Sequence, residues 1–143
     1  WSEDRKTNPD MLKNASGVPS LEVLYALLLK GLTERRLDVT WAARLLAANP
    51  ARLFRIGHRK GALEAGRDAD ITVMAHRPGR YDAAASGHNF VGWSPYQGIE
   101  LPYRPVATFL RGKAIFDGTN VTAEPGSGAF IHPVLANQVE AAA

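Results

Sequence analysis

The 143-residue sequence contains no cysteine. That removes disulfides, thiolate metal sites and cysteine nucleophiles together, and it suits a reducing compartment, so a cytoplasmic location is expected. No apolar run approaches the roughly 18 to 20 residues that span a bilayer, which excludes a transmembrane helix and leaves no membrane partner to expect. The opening run Trp1-Ser2-Glu3-Asp4-Arg5-Lys6 lacks the basic start and apolar stretch of a signal peptide. Position 1 is Trp rather than Met, so the expectation is a piece of a longer protein. A strong charge of one sign is missing too. Seventeen Lys and Arg face 14 Asp and Glu, and a net +3 is too small to point to nucleic acid despite a pI near 9.4.

Several chemical signatures are also absent. His58, His76, His88 and His132 are separated by 18, 12 and 44 residues, so no His-x-His pair or His-Glu-x-x-His helix exists. These histidines are expected on the surface or in packing, not on a metal. Gly126-Ser127-Gly128 lacks the third glycine and the strand-to-helix context of a dinucleotide fingerprint, and no Walker-type lysine motif occurs. Asn14-Ala15-Ser16 and Asn120-Val121-Thr122 fit the glycosylation acceptor pattern, but without a secretory signal they read as chance matches. Asp68 and Asp70 could be pictured as an acid and a base; standing just ahead of a strand, they are expected to close a turn instead.

What is present suits a packed α+β chain. An apolar content of 45% supplies a core, and the charge divides: residues 1–60 carry 11 basic and 6 acidic side chains, whereas residues 61–143 carry 6 and 8. The first part reads as helical. Leu21, Leu24, Leu28 and Leu32 recur at helical spacing, and Tyr25, Leu27 and Leu29 leave little polar face. Asp38 is placed to cap a second helix with the stripe Val39, Ala42, Ala43 and Leu46. Asn49-Pro50 is expected to end it, Asn49 capping a third helix to Ile56 that Gly57 closes. After Gly61 the period changes to alternation. Residues 70–75 and 106–116 are expected in one β structure, the latter as a hairpin turning at Arg111-Gly112-Lys113, with residues 76–105 as a long connection holding at most one short strand.

The most specific stretch is Lys60-Gly61-Ala62-Leu63-Glu64-Ala65-Gly66-Arg67-Asp68-Ala69-Asp70-Ile71. It resembles the Lys-Gly-x-Ile-x-x-Gly-x-Asp-Ala-Asp-Leu pattern of the amidohydrolase superfamily. Asn49-Pro50-Ala51-Arg52-Leu53-Phe54 upstream fits the same family, as do Ser94-Pro95-Tyr96-Gln97-Gly98 and Val106-Ala107-Thr108-Phe109-Leu110-Arg111-Gly112-Lys113 downstream. Within it the sequence is most similar to the cyclic amidohydrolases (dihydroorotases, allantoinases and hydantoinases) over residues 10–118.

The resemblance implies that residues 1–58 are the last helical part of a TIM-type (β/α)8 barrel and residues 59–143 a segment of a small β-sandwich domain. It implies a parent enzyme that cleaves a cyclic amide of the dihydroorotate, allantoin or hydantoin type with two divalent metal ions, zinc being the expected metal. The metal ligands of similar enzymes and their catalytic aspartate have no counterpart in this chain, so no catalytic or metal-ligating residue is assigned to it. Its expected contribution is a loop in which Ser16 and Gly17 offer backbone contacts to the ring. The isolated chain is expected to be inactive and to need the missing N-terminal barrel portion as partner, the parent being a homo-oligomer. Leu24, Leu27, Leu28 and Leu46 would otherwise lie bare, at roughly 1.5 to 3 kcal/mol for each leucine left in water. A parent that kept the fold as a non-catalytic scaffold or interaction subunit is the alternative. A free-standing β module with a helical extension is a third reading, and it too would need a partner for its helices.

Overall fold

The computed structural model describes residues 2–134. Short 3-10 turns at Glu3–Lys6, Met11–Lys13 and Leu21–Val23 lead into helix α1, Leu24–Glu34. A second helical run follows, made of α2 (Thr40–Ala43), a π-helical stretch (Arg44–Ala48) and α3 (Asn49–Leu53). Strands β1 (Ile71–Arg80), β2 (Glu100–Leu110) and β3 (Lys113–Phe116) then form an antiparallel sheet in the order β1-β2-β3. Helices come first and the sheet second, as the change of period predicts.

Asn49 does not cap a new helix. Its backbone is helical (φ −66°, ψ −45°), and its N–H reaches back to the Arg44 carbonyl. The π stretch widens the helix just before Pro50, whose ring would otherwise press on the carbonyl one turn back, so the chain passes through Asn49-Pro50 without a break. Gly57 does not close the helix either. Arg55 takes the left-handed conformation (φ 56°), and Ile56 N–H bonds the Ala51 carbonyl at 2.9 Å, closing the run with a reversed turn. At the front of α2, Asp38 acts as expected, its carboxylate accepting Thr40 N–H at 2.9 Å.

The buried stripe of α1 also has a different phase from the leucine pattern. Val23, Ala26, Leu29 and Leu32 are buried, while Leu21 is 86% exposed and Leu24 45% exposed. A helix that is apolar almost all round carries no polar face to set its orientation, so close packing sets it instead. Val23 and Ala26 are small enough to let the backbone approach the sheet, where they meet Tyr81, Ala83 and Leu101. Leu29 and Leu32 pack with Ala42 of α2 in a second cluster, and Met74 of β1 touches both clusters. Leu27 and Leu28 find cover at the margins of these clusters within the chain itself.

The strands run further than alternation suggests, and the connection shortens to residues 81–99. Three prolines lie inside them, each at an irregularity of the ladder. His76 pairs with Tyr103 and Gly79 with Leu101, so Arg77 and Pro78 oppose Pro102 alone. Val73 pairs with Ala107 and Met74 with Pro105, leaving Val106 as the extra residue. A bulge interrupts the ladder, which is where a residue without an N–H is tolerated inside a sheet. The hairpin between β2 and β3 is the tight one expected. Leu110 pairs with Lys113, and Arg111 (φ 50°) and Gly112 (φ 78°) both take positive φ, as a two-residue turn of the I′ kind requires.

Leu101 is 4% exposed at the centre of the helix–sheet contact. Leu101→Ala is expected to lower the unfolding free energy by about 2 to 5 kcal/mol, the range for a leucine removed from a packed core. Urea denaturation of the full-length protein checks this. A loss under about 0.5 kcal/mol, typical of a surface change, would mean that stability resides elsewhere.

Candidate functional site

The segment 14–20 is held from two sides. On one side Ala15 N–H bonds the Arg5 carbonyl at 3.0 Å, and Asn14 exchanges side-chain hydrogen bonds with the backbone of Asn8 at 2.8 and 3.0 Å. Lys6 Nζ donates to the carbonyls of Ala15 and Gly17. On the other side the buried Ser94 hydroxyl donates to the Pro19 carbonyl at 2.9 Å across 75 residues of sequence. Asn89 braces that wall by donating to the Trp93 carbonyl at 2.7 Å.

Between these supports lies a shallow groove of about 290 Å³ lined by Lys6, Ser16, Gly17, Val18, Val91 and Trp93. Ser16 and Gly17 are both exposed in it. Gly17 has φ 74°, and no atom lies within 4 Å of where its Cβ would stand, so the glycine answers to backbone conformation and not to crowding. The Gly17 carbonyl is engaged by Lys6, whereas the N–H groups of Ser16 and Gly17 and the Ser16 hydroxyl carry no hydrogen bond among the described residues. The arrangement offers adjacent donors, one of them also an acceptor, on the rim of an apolar-walled groove. That pattern suits the carbonyl and N–H edge of a small polar ring. Sequence reasoning reached Ser16 and Gly17 but missed Lys6, Asn89, Trp93 and Ser94, because only folding brings residues from positions 6 and 89–94 to this loop.

Beside the groove, Glu22 at the start of the helical segment accepts the Tyr81 hydroxyl at 2.9 Å. Burial pushes the Tyr81 phenol above its ordinary pKa, and the hydrogen bond to Glu22 adds to the effect. Hydrogen bonds from Ala85 N–H, the Gln97 amide and Ala84 N–H lower the Asp82 pKa below the carboxylate norm.

No group of three or more His, Asp and Glu side chains that could hold a metal gathers among the described residues. The residues described here therefore do not fit the metal centre that the sequence resemblance implies. The four histidines are exposed. His76 meets Tyr103 edge-on at 5.4 Å, His88 meets Phe116 at 5.7 Å and His132 meets Phe130 at 5.0 Å.

Asp68 and Asp70 form an ion cluster that secures two loops. Arg59 grips Asp68 through both oxygens, at 2.9 to 3.2 Å, and Lys60 bridges Asp68 at 2.7 Å and also Asp70. Asp70 in turn accepts Arg111 N–H at 2.8 Å, and Gly112 N–H bonds the Ala69 carbonyl at 2.9 Å, so the cluster fastens the hairpin turn. Gly61 makes this fit possible: a Cβ there would stand 2.6 Å from the Ala51 Cβ on the helix beneath. The side chains of Lys60 and Asp68 are 16% and 15% exposed. Burial works against the Lys60 charge, but hydrogen bonds to Asp68 and Asp70 outweigh it and raise its pKa. The hydrogen bond from Lys60, followed by that from Arg59, holds Asp68 below the usual 3.8.

The sequence pattern of the amidohydrolase family matches residues 7–115. The chain is 33% identical over 129 residues to the dihydroorotase of Methanosarcina mazei, and 30% identical over 129 residues to the D-hydantoinase of Ralstonia pickettii. Each match covers 90% of this chain and 28% of the relative, so the chain spans about 28% of the length of the curated relatives it matches. A solved D-hydantoinase structure superposes on 91% of the chain and 28% of its own, with a TM-score of 0.82 and 30% identity.

A carboxylate whose pKa is depressed by folding stabilises the fold above its unfolded pKa, and that contribution is lost as pH falls through the folded value. The stability difference between wild type and Asp68→Asn is therefore expected to be constant above about pH 5 and to narrow as pH drops below the ordinary 3.8. Thermal unfolding across pH 2 to 7 measures it; a difference that does not change with pH would show that the ion cluster plays no part.

Proposed function

Because the chain belongs to the amidohydrolase family, we propose that it is the C-terminal part of a hydrolase that opens the amide bond of a cyclic amide of the dihydroorotate, allantoin or hydantoin type. The observation that carries this reading is the family match over residues 7–115, which includes Ser16 and Gly17 as well as strands β1 and β2. Two relatives named for ring amides, a dihydroorotase and a D-hydantoinase, support the substrate class. In this reading residues 1–58 finish the barrel and residues 59–143 belong to the small β-sandwich domain.

The work assigned to this chain is binding and shape. The free N–H groups of Ser16 and Gly17 and the Ser16 hydroxyl hold the polar edge of the ring, while Lys6 and Ser94 keep the loop in place by engaging its carbonyls. Two divalent metal ions, zinc in this reading, belong to parts of the protein outside the described residues. The chain by itself is inactive, and its partner is the remaining barrel. Large apolar side chains left bare, among them Met11, Leu12, Leu21, Leu53 and Phe54, supply the surface for that contact. The parent enzyme is a homo-oligomer in this reading.

The test uses the full-length, metal-replete protein offered dihydroorotate, allantoin and hydantoin in turn, with ring opening followed by product chromatography. Turnover of one of them is expected. Gly17→Val, which puts a branched side chain at φ 74°, is expected to raise KM about five- to tenfold through misplaced ring contacts and, through the backbone strain, to lower the thermal midpoint by a few degrees. No turnover of any of the three would sink the proposal and leave the non-catalytic scaffold as the reading.

A further inference from the structure

A second concavity, about 520 Å³, lies where the start of α1 meets the far end of the sheet. Its floor is apolar, formed by Val23, Ala26 and Leu101. It shares no lining residue with the Ser16–Gly17 groove. Three arginines line it, and the strand irregularity described above brings them together. Arg77 is one of the two residues bulged out opposite Pro102, Arg80 ends β1, and Arg104 comes from the neighbouring strand. A bulge turns a side chain away from the direction that regular alternation would give it.

Arg104 is held in place. Its Nη2 donates to the Arg80 carbonyl at 2.9 Å, and its guanidinium crosses Gly79, where a Cβ would stand 2.7 Å from Nη2. None of the three guanidinium groups has a carboxylate partner among the described residues. Two carboxylates line the same cleft, but both are engaged elsewhere. Glu22 accepts the Tyr81 hydroxyl, and Asp82 accepts the N–H groups of Ala84 and Ala85. Glu100, the register partner of Arg80, makes no ion pair with it among the described residues. Tyr103 and Phe116 add aromatic wall to the cationic rim.

We propose that this cleft is a binding site for a small aromatic anion, its phosphate or carboxylate held by Arg77, Arg80 and Arg104 and its ring set against Tyr103, Phe116 and the apolar floor. Guanidinium groups are suited to both anions through paired N–H donors, and the volume falls in the range of small-molecule sites, about 300 to 1,000 Å³. The site stands whether or not the protein hydrolyses a ring amide, since it uses none of the residues assigned to that task.

The probe is phenyl phosphate, titrated into the full-length protein by calorimetry, with inorganic phosphate and phenol as its two halves. Saturable binding of phenyl phosphate is expected, with each half at least roughly tenfold weaker, since the ring and the anion are held by separate parts of the cleft. Arg104→Gln and Arg77→Gln are each expected to weaken binding roughly tenfold, as loss of a charge-assisted hydrogen bond does. Gly79→Ala keeps every charge yet displaces the Arg104 guanidinium, and it is expected to weaken binding several-fold while the thermal midpoint holds. Absence of saturable binding in the wild type overturns the proposal. So does an affinity that both Arg77→Gln and Arg104→Gln leave unchanged, and inorganic phosphate binding as tightly as phenyl phosphate overturns the assignment to an aromatic anion.

Discussion

The structure rests on the seating of α1 against β2. Val23, 1% exposed, and Ala26 press on Leu101, Tyr81 and Ala83, and this contact fixes where everything else can go. It places Glu22 within hydrogen-bond reach of Tyr81, and so joins the loop before the helix to the connection after β1. It also brings residues 16–20 against the 89–94 segment, where Ser94 secures Pro19. Met74 extends the contact to the second cluster, so α2 is positioned by the same sheet. Small residues at the interface are the physical reason: a larger side chain at Ala26 or Ala83 would push the helix away and open both grooves.

Much of this architecture can be read from the residues, and the parts that cannot share one cause. The strand over Ile71 to Ala75 and the Arg111-Gly112 turn are local signals, and the chain adopts both, although burial along the strand does not alternate: Val73 is exposed and Met74 packs into the core. The prolines are local signals as well, yet Pro50, Pro78, Pro102 and Pro105 all sit inside regular elements, because a π turn or a bulge absorbs each one. Those accommodations are tertiary. They form because the flanking residues are already held by packing, which a proline-centred reading has no means to see. The helix phase has the same origin: Leu21 and Val23 are both apolar, and only the sheet decides that Val23 is the buried one.

The loop at Ser16 and Gly17 is legible in a different way. Ser16 and Gly17 are pointed to by a family resemblance, and the structure adds what surrounds them: a lysine ten residues upstream of Ser16 and a serine 75 residues downstream of Pro19, both engaging carbonyls of the loop, while the Ser16 and Gly17 N–H groups carry no hydrogen bond among the described residues. The aspartates before β1 follow a comparable logic. Read alone, Asp68-Ala69-Asp70 closes a turn; folded, it joins Arg59 and Lys60 on one side to the Arg111 amide on the other. The exit of the helical region and the far hairpin are thus tied at one point by charge, above a glycine that lets the loop lie flat on alanines of the helix.

The bulge at Arg77-Pro78 has a further consequence for the open side of β1. This strand lies at one border of the three-stranded sheet, and a border strand presents unpaired backbone groups to any extended segment that approaches. Its two halves differ. From Ile71 to Ala75 there is no proline and little charge, so this half can accept another strand in the ordinary way. Beyond His76 the offset of the ladder, the missing N–H of Pro78 and the charges of Arg77 and Arg80 all oppose such an addition. The sheet is therefore able to grow from one half of its rim and closed to growth at the other, which limits both the strands that can complete it and the ways in which stray copies can stack upon it.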